Sequence, residues 1–378
     1  MIIKIILFIV HLCAVILVSG QTQNSFFFKN YFDVSSKKVG NQNFNKKIFN
    51  LAERANPVNF QYLSYQIDAR NNMYLGTGEI GYMLDNYEII KKLFQDNNNE
   101  GLNWKVKSSH SKYDPYDGQE MILYEGYLLR YVSDYLRLVR NNEEILNKKA
   151  YSSLLAKLES RFLYWYSASK KGRGDDSFFH GIRVHMGANW ASTALLLYEL
   201  STNVENKKVY KIVYNKFDQA LRNNLNIKRI NGYPCYVWNS TWDKPFTDKL
   251  NEWQKNKREK PLVQDVTHGN HIVQYAIYAT ELQVNGWSRN NLQYFANTLK
   301  FIIWNGKTKS FSDLVNGSKS ISRDLRNTGW KQSDGWMKLI SIDQSLKDIY
   351  KEFYNSNASY IDSSYLNSQY YSNFVRYF

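Results

Sequence analysis

Helix-spaced apolar residues recur in paired segments with very short connections, and this pairing limits the fold more than any other feature. MILYEGYLLRYVSDYLRLV, from Met121, and EEILNKKAYSSLLAKLESRFLYWYSAS, from Glu143, are joined by Arg140-Asn-Asn alone. So short a link predicts two antiparallel helices. The arrangement returns in ANWASTALLLYEL (from Ala188) with NKKVYKIVYNKFDQAL (from Asn206), and in HIVQYAIYATEL (from His271) with NNLQYFANTLKFIIW (from Asn290). A last pair is SDGWMKLISI with SLKDIYKEFYNS, and a short helix is expected over Asn86 to Gln95. With only five prolines to interrupt it, the chain reads as all-α.

In each pair the first helix is rich in small and aromatic residues, and the second carries more charge. A helix apolar around most of its circumference is buried, whereas one with a charged face meets water. Hairpins stacked side by side would then form an inner and an outer ring, an α/α toroid, with little β structure. A superhelical solenoid is the alternative arrangement. Hydrophobic residues make up 43% of the chain and aromatics 16%, which is ample for one large core over residues 21–378.

The opening MIIKIILFIVHLCAVILVSG has one early lysine, an apolar run and small residues at its end, the layout of a signal peptide over residues 1–20. The run is short for a bilayer span, so the expectation is a secreted chain without a membrane anchor after cleavage. Cys13 would leave with the leader, so Cys235 would stand alone and packing rather than a disulfide must hold the fold. Asn239-Ser-Thr, Asn316-Gly-Ser and Asn357-Ala-Ser match the glycosylation sequon, which fits a secreted glycoprotein.

A formal charge of +15 favours polyanions as partners. No zinc finger, RNA-binding motif or phosphate-cradling loop is present, and an exported protein meets little nucleic acid. Acidic polysaccharide is therefore the expected partner, with nucleic acid and membrane excluded. A plainer reading of the same charge is a solvated lysine-rich surface.

The loops leading into the first helix of each pair concentrate glycine, polar groups and, except in QDVTHGN, aromatics: NNMYLGTGEIGYM (from Asn71), SKYDPYDGQEMILYEG (from Ser111, with Tyr124), FFHGIRVHMGANW (from Phe178), QDVTHGN (from Gln264) and TGWKQSDGW (from Thr328). Loops on a rigid scaffold are where binding groups tend to gather. In QDVTHGNH, Asp265 or Thr267 would cap a helix. His268 and His271 would lie on one helical face, with Tyr275 and Tyr278 continuing it. Such a row of proton carriers suits acid–base work, although a structural histidine pair explains it equally. His185 and Asn189, four apart, would share a face if their helix begins near His185. Arg183 offers a planar fork for a carboxylate. Trp190 and Trp336 could stack on sugar rings or fill the core.

Met186-Gly-Ala-Asn-Trp190, followed by Asp265-Val-Thr-His268-Gly-Asn-His271 and Tyr275, resembles the α/α-toroid polysaccharide lyases that act on hyaluronan, chondroitin or alginate. The resemblance implies β-elimination: an asparagine neutralises the uronate carboxylate, a histidine or tyrosine takes the C5 proton, and a tyrosine protonates the leaving oxygen. Carried over, Asn189 is the neutraliser, His268 or His271 the base or its helper, and Tyr275 the acid. Asn270, beside His271, competes with Asn189 for its role. Arg323 and Arg326 stand in for the family's arginine motif. Asp265 is expected among the catalytic residues, and His185, Arg183, Trp190, Asn270, Tyr124 and Trp336 are expected to bind substrate.

Two other readings stay open. A glycoside hydrolase on the same scaffold needs two carboxylates, for which Asp114, Asp117, Glu120, Glu125, Asp265 and Asp334 are candidates. A non-catalytic acidic-glycan-binding protein would keep the charge and lose the chemistry. No cofactor is expected. A zinc site from His180, His185, His268, His271 and Asp265 lacks a HExxH motif or cysteine cluster, so no metal is expected either.

Overall fold

Helix α3, Phe60–Thr77, buries Gln66, Asp68, Arg70, Asn71 and Asn72 along with Leu63, Ile67 and Met73. A helix whose polar residues are buried must have a polar centre to point them into, and the rest of the fold supplies one. The computed structural model describes residues 25–33, 38–39, 42–95, 102, 104–108, 111–173, 179, 183–242, 262–318, 333–362 and 367–378. Residues 1–20, expected to be a leader, the histidine candidate His180, and Arg323 and Arg326 lie outside the described residues.

The described chain is mostly helical, as the apolar spacing predicts. After α1 (25–33) and α2 (Phe44–Arg54) come α3 and α4 (Gly81–Leu93), α5 (Ile122–Val139) and α6 (Lys148–Arg173), and α7 (Val184–Leu200) and α8 (Val204–Asn224). Next follow α9 (Val266–Glu281), α10 (Arg289–Thr298), the four-residue α11 (Gly335–Lys338), α12 (Leu346–Asp362) and α13 (Asn367–Tyr377). Helix α3 packs on α5, α5 on α7, α7 on α9 and α9 on α11, while α13 touches α11 and lies along α3. The succession thus returns to its starting helix. Helices α4, α6, α8 and α10 pack beside α3, α5, α7 and α9 respectively.

Burial follows the composition of each pair. Helix α5 is buried without interruption from Glu125 to Leu136. Helix α8 buries only Tyr210, Val213, Tyr214, Phe217, Asp218, Leu221 and Asn224, a single stripe at three- and four-residue spacing. Where the stripe ends the caps are specific: Asn203 accepts from the N–H groups of Glu205 and Asn206, and Gly78 closes α3 at φ 74°.

Several features depart from the sequence expectation. The stretch expected as a loop from Asn71 is helical to Thr77, turns over three residues and re-enters a helix at Gly81. The segment around Trp336 is a single helical turn continued by a 3-10 turn, Leu339–Ser341. Helix α13, which the paired pattern did not predict, is the element that meets α3. A hairpin follows α8: Asn226–Ile230 pairs antiparallel with Tyr233–Val237, and both Asn231 (φ 50°) and Gly232 (φ 84°) have the positive φ of a tight hairpin turn. Cys235 is buried on this hairpin as a free thiol.

Extended segments tie the N-terminal ends of α7 and α9 together. Arg183 bridges Thr241, and Asp265 bridges Leu314. Val184 N–H donates to the Ser240 carbonyl at 2.9 Å, Gln264 N–H to Trp238 at 3.0 Å, and Val266 N–H to Asp313 at 2.8 Å. This edge carries the histidines.

Candidate functional site

Asp265 is the N-cap of α9, and its Oδ1 accepts from the His268 backbone N–H at 2.9 Å. The same carboxylate lies 2.9 Å from His268 Nδ1 through either oxygen. One residue therefore starts the helix and aims the first imidazole. An ionised carboxylate accepts only, so Nδ1 carries a proton in either charge state of the ring, and in the neutral ring the lone pair of His268 is on Nε2. Burial pushes the Asp265 carboxyl up, but the His268 hydrogen bonds and charge outweigh it and bring it down to about 2. The His268 side chain is 41% exposed, so its free nitrogen is within reach of solvent or a ligand.

Helix α7 begins at Val184, which puts His185 in its first turn. The His185 ring stacks on His268 with centroids 4.1 Å apart and planes 26° from parallel. His271 lies one turn deeper, 6.3 Å from His185 and 6.4 Å from His268 between ring centroids. His185 and His271 are both buried. Burial, with the neighbouring His268 in one case and Arg130 in the other, holds both well below the ordinary histidine value. Both are neutral at pH 7. His185 Nδ1 is buried without a hydrogen-bond partner.

Behind His271 runs a buried ionic chain. Arg130 Nη1 lies 2.9 Å from His271 Nδ1 and donates to Asn189 Oδ1 at 3.1 Å. Arg130 Nη2 donates to Asp334 Oδ2 at 2.7 Å, and Tyr131 donates to the same oxygen at 2.7 Å. Lys338 Nζ bridges Asp68 at 2.9 Å and Asp334 at 3.3 Å. Gln369 and Asn72 donate to Asp68. Burial raises the Asp334 carboxyl, but Arg130 and Lys338 outweigh it and hold it below the usual range. Two cationic groups face two carboxyl groups, a pairing that buried ions need; at Asp68 burial outweighs Lys338 and raises the carboxyl. They come from α3, α5, α11 and the turn before it, with α13 contributing Gln369. The polar interior of the helix succession is this network.

The structure brings His185, Asn189, His268, His271 and Asp265 together, with Arg183 at the N-cap of α7 beside them and bonded to Ser240 Oγ at 3.3 Å. Asn189 faces the histidines through Arg130, and its Nδ2 donates to the His185 carbonyl at 3.2 Å. Asn270 accepts from the Trp336 backbone N–H at 3.2 Å, so it joins α9 to α11. Tyr124 is partly buried against the core. Four expected residues stand elsewhere. Tyr275 turns away between α8 and α9, where its hydroxyl meets Asp218 at 3.2 Å, and it is fully buried. Tyr278 lies near Arg137, so no tyrosine row continues the histidines. Residues four and seven beyond His271 flank it on opposite sides of one helical stripe, so α8 takes Tyr275 while Tyr278 lies against α5. Trp190 packs on Phe162 and Phe179 in the core, and Trp336 stacks on Trp238 with its Nε1 donating to Val266.

The acidic candidates are engaged too. Glu125 takes hydrogen bonds from Arg161 Nε at 2.6 Å, Arg161 Nη2 at 2.7 Å and Trp165 at 2.8 Å. Glu120 shares Arg161 and also accepts from Tyr164. Asp114 and Asp117 accept from Ser108 on an exposed loop. Among the described residues, no group of three or more His, Cys, Asp or Glu is placed to hold a metal ion.

Arg130, Tyr131, Asp68 and Lys338 escaped the sequence reading. A signal for Arg130 exists: a charge in YLLRYVSDYL, whose helix is otherwise apolar around its circumference, is a buried ion in search of a partner. Comparisons with protein-family models, curated proteins and solved structures find no match for this chain.

Proposed function

We propose that this chain is a secreted lyase that cleaves uronate-containing acidic polysaccharide by β-elimination, on an α/α toroid whose inner ring is α3, α5, α7, α9, α11 and α13. The observation that carries the reading is the Asp265–His268 pair at the helix-start edge. It combines a carboxylate-oriented imidazole, a free Nε2 and partial exposure with a second imidazole stacked against it.

In this scheme His268 Nε2 takes the proton from C5 of the uronate. The C5–H electron pair forms the C4–C5 double bond, the C4–O bond breaks, and the leaving oxygen takes a proton from the His268 imidazolium. Tyr275 has no part in the proton return, because its hydroxyl is committed to Asp218. Arg183, at the same edge, is the cation for the uronate carboxylate, as its planar fork suits. Negative charge that builds beside the carboxylate is met by fixed donors, where preorganisation is worth most. The net charge of +15 draws the polyanion in.

The test is incubation with hyaluronan, chondroitin, heparan sulfate and alginate, following ultraviolet absorbance from unsaturated ends. Absorbance that grows with time, and is lost in His268→Ala, supports the reading. Reducing ends without absorbance would instead make the chain a hydrolase. Binding without either product would make it a glycan-binding protein.

A further inference from the structure

Arg130 Nη1 has two hydrogens and two acceptors, Asn189 Oδ1 at 3.1 Å and His271 Nδ1 at 2.9 Å. A guanidinium cannot accept a hydrogen bond and does not lose its proton in a protein. Facing it, His271 Nδ1 must be the lone-pair nitrogen, and the ring proton must be on Nε2. Asp334 does not compete for Nδ1, because its Oδ2 is 3.9 Å away, beyond hydrogen-bond reach. By the same logic Asn189 must turn its carbonyl oxygen to Arg130 and its amide N–H groups away.

The guanidinium itself is held at both terminal nitrogens and on one face, with Nε left without a hydrogen-bond partner among the described residues. Asp334 takes Nη2 at 2.7 Å, and the Tyr131 ring lies beneath it with its centroid 4.0 Å away. Tyr127 meets His271 edge-on at 4.7 Å and fixes the ring plane. The imidazole has little freedom to flip, and neither of its nitrogens can serve as a base: one lone pair is taken and the other position carries a proton.

We infer that Arg130 is a positioning residue that makes His271 a neutral N–H donor, and leaves His268 as the base. The assignment of His268 rests on the lyase reading; the proton position on His271 does not. In a reaction that builds negative charge beside a carboxylate, a neutral donor stabilises that charge without first giving up a proton. The chain thereby divides two imidazoles three residues apart into opposite roles. Asp265 makes one a base, and Arg130 makes the other a donor.

The experiment labels the six histidines of the full chain with nitrogen-15 and records two-bond proton–nitrogen correlations, with His271→Gln used to assign the signal. The expected pattern is the Nε2–H tautomer of His271, unchanged from pH 8 to pH 5. An Nδ1–H tautomer, or titration of His271 in that range, would overturn the inference. A second measurement uses two substitutions. Glutamine places an amide N–H near the Nε2 position, and asparagine places its amide near Nδ1. His271→Gln should therefore retain turnover at least tenfold above His271→Asn; the reverse order would mean that His271 serves only as a partner for Arg130. Because the tautomer is read without substrate, a chain that yields no unsaturated product but shows Nε2–H loses the lyase reading and keeps this one.

Discussion

Arg130 and Asp334 are 204 residues apart in sequence and 2.7 Å apart in space, each almost wholly buried. Their pairing joins α5 to the turn before α11, and it places the guanidinium against both His271 and Asn189. A buried pair of this kind is costly to break, because removing one partner leaves the other charge without water or a counter-ion.

Asp334→Ala is therefore expected to lower stability by about 3–5 kcal/mol in chemical denaturation. It uncovers Arg130 and takes one of two carboxylates from Lys338. The double variant Arg130→Met, Asp334→Leu should recover much of that loss, since apolar groups of similar volume need no partner. It should not recover turnover. If Asp334→Ala unfolds at the same denaturant concentration as the parent, the ionic chain contributes nothing to the fold.

A second expectation concerns acid. His185 and His271 have folded-state values well below the unfolded value of about 6.5. Above that pH neither state binds a proton at these rings, so they leave stability unchanged. As pH falls through about 6.5 the unfolded chain takes a proton at each and the folded chain does not, so stability drops by about 1.4 kcal/mol per pH unit per histidine. The groups facing the two rings are Arg130, Asp334, Tyr127, Asp265, Arg183 and His268, and the carboxylates among them are depressed. Their stabilising contribution is present above about pH 4 and is lost only below it, whereas Asp68, Asp85 and Glu125, raised by burial, stabilise the fold as pH falls and oppose the histidines. The histidine slope is therefore read against the His185→Gln, His271→Gln double variant: a loss of stability from pH 7.5 to 5.5 that agrees within 1 kcal/mol in the two chains, by the precision usual for such extrapolations, would rule it out.

How much of this was open to the sequence depends on what each helix faces. Helices α5, α7 and α9 were legible because apolar residues repeat along them, and the Asp265 cap was legible because its acceptor and helix start are adjacent. The spacing of His185 and Asn189 likewise placed them on one face once the helix began at Val184. Helix α3 was not legible. Its buried face carries Gln66, Asp68, Arg70, Asn71 and Asn72, so a search for apolar periodicity passes over it. The hairpin after α8 did carry its signal, Asn231-Gly232, which a search for helices missed. The Arg130–Asp334 contact has no local signature, since a pairing over 204 residues is set by the whole succession of helices. Tyr275 shows the opposite error: a correct helix does not fix which neighbour claims each side chain.

Gly335 gives a prediction about close packing. A Cβ at this position would come within 2.3 Å of the Asn270 carbonyl oxygen and 2.8 Å of the Gln274 nitrogen, both backbone atoms of α9. Neither can rotate aside, so α11 must move away and carry Asp334 and Lys338 with it. Gly335→Ala should cost about 1–3 kcal/mol and lower turnover with it. Gly286→Ala, where nothing lies near a Cβ, tests the alternative of backbone strain alone, since Gly286 has φ 70°; it should reduce stability and leave turnover intact.

Tyr275→Phe separates the row of tyrosines expected from the sequence from the packing that exists. The hydroxyl lost is bound to Asp218, which keeps Trp287 and Arg222 as partners. The cost should be about 0.5–1.5 kcal/mol, with turnover unchanged. A loss of turnover of tenfold or more at full folding would return Tyr275 to the chemistry.

Asp265→Asn is the sharpest test of the base, because the two duties of Asp265 respond differently. Asparagine caps a helix about as well as aspartate, so α9 and the melting temperature should change little. The orientation of His268 should fail, because an amide can present N–H to Nδ1, which would then accept and leave the proton on Nε2, where the lone pair is needed. General-base catalysis is worth about 10²–10⁴-fold, so on the proposed lyase reading kcat should fall by at least ~10² while binding of the polyanion persists. Restoration of activity at high pH is not expected, since the fault is in the position of the proton rather than in its affinity. If Asp265→Asn turns over as fast as the parent, His268 does not act through the nitrogen that Asp265 leaves free.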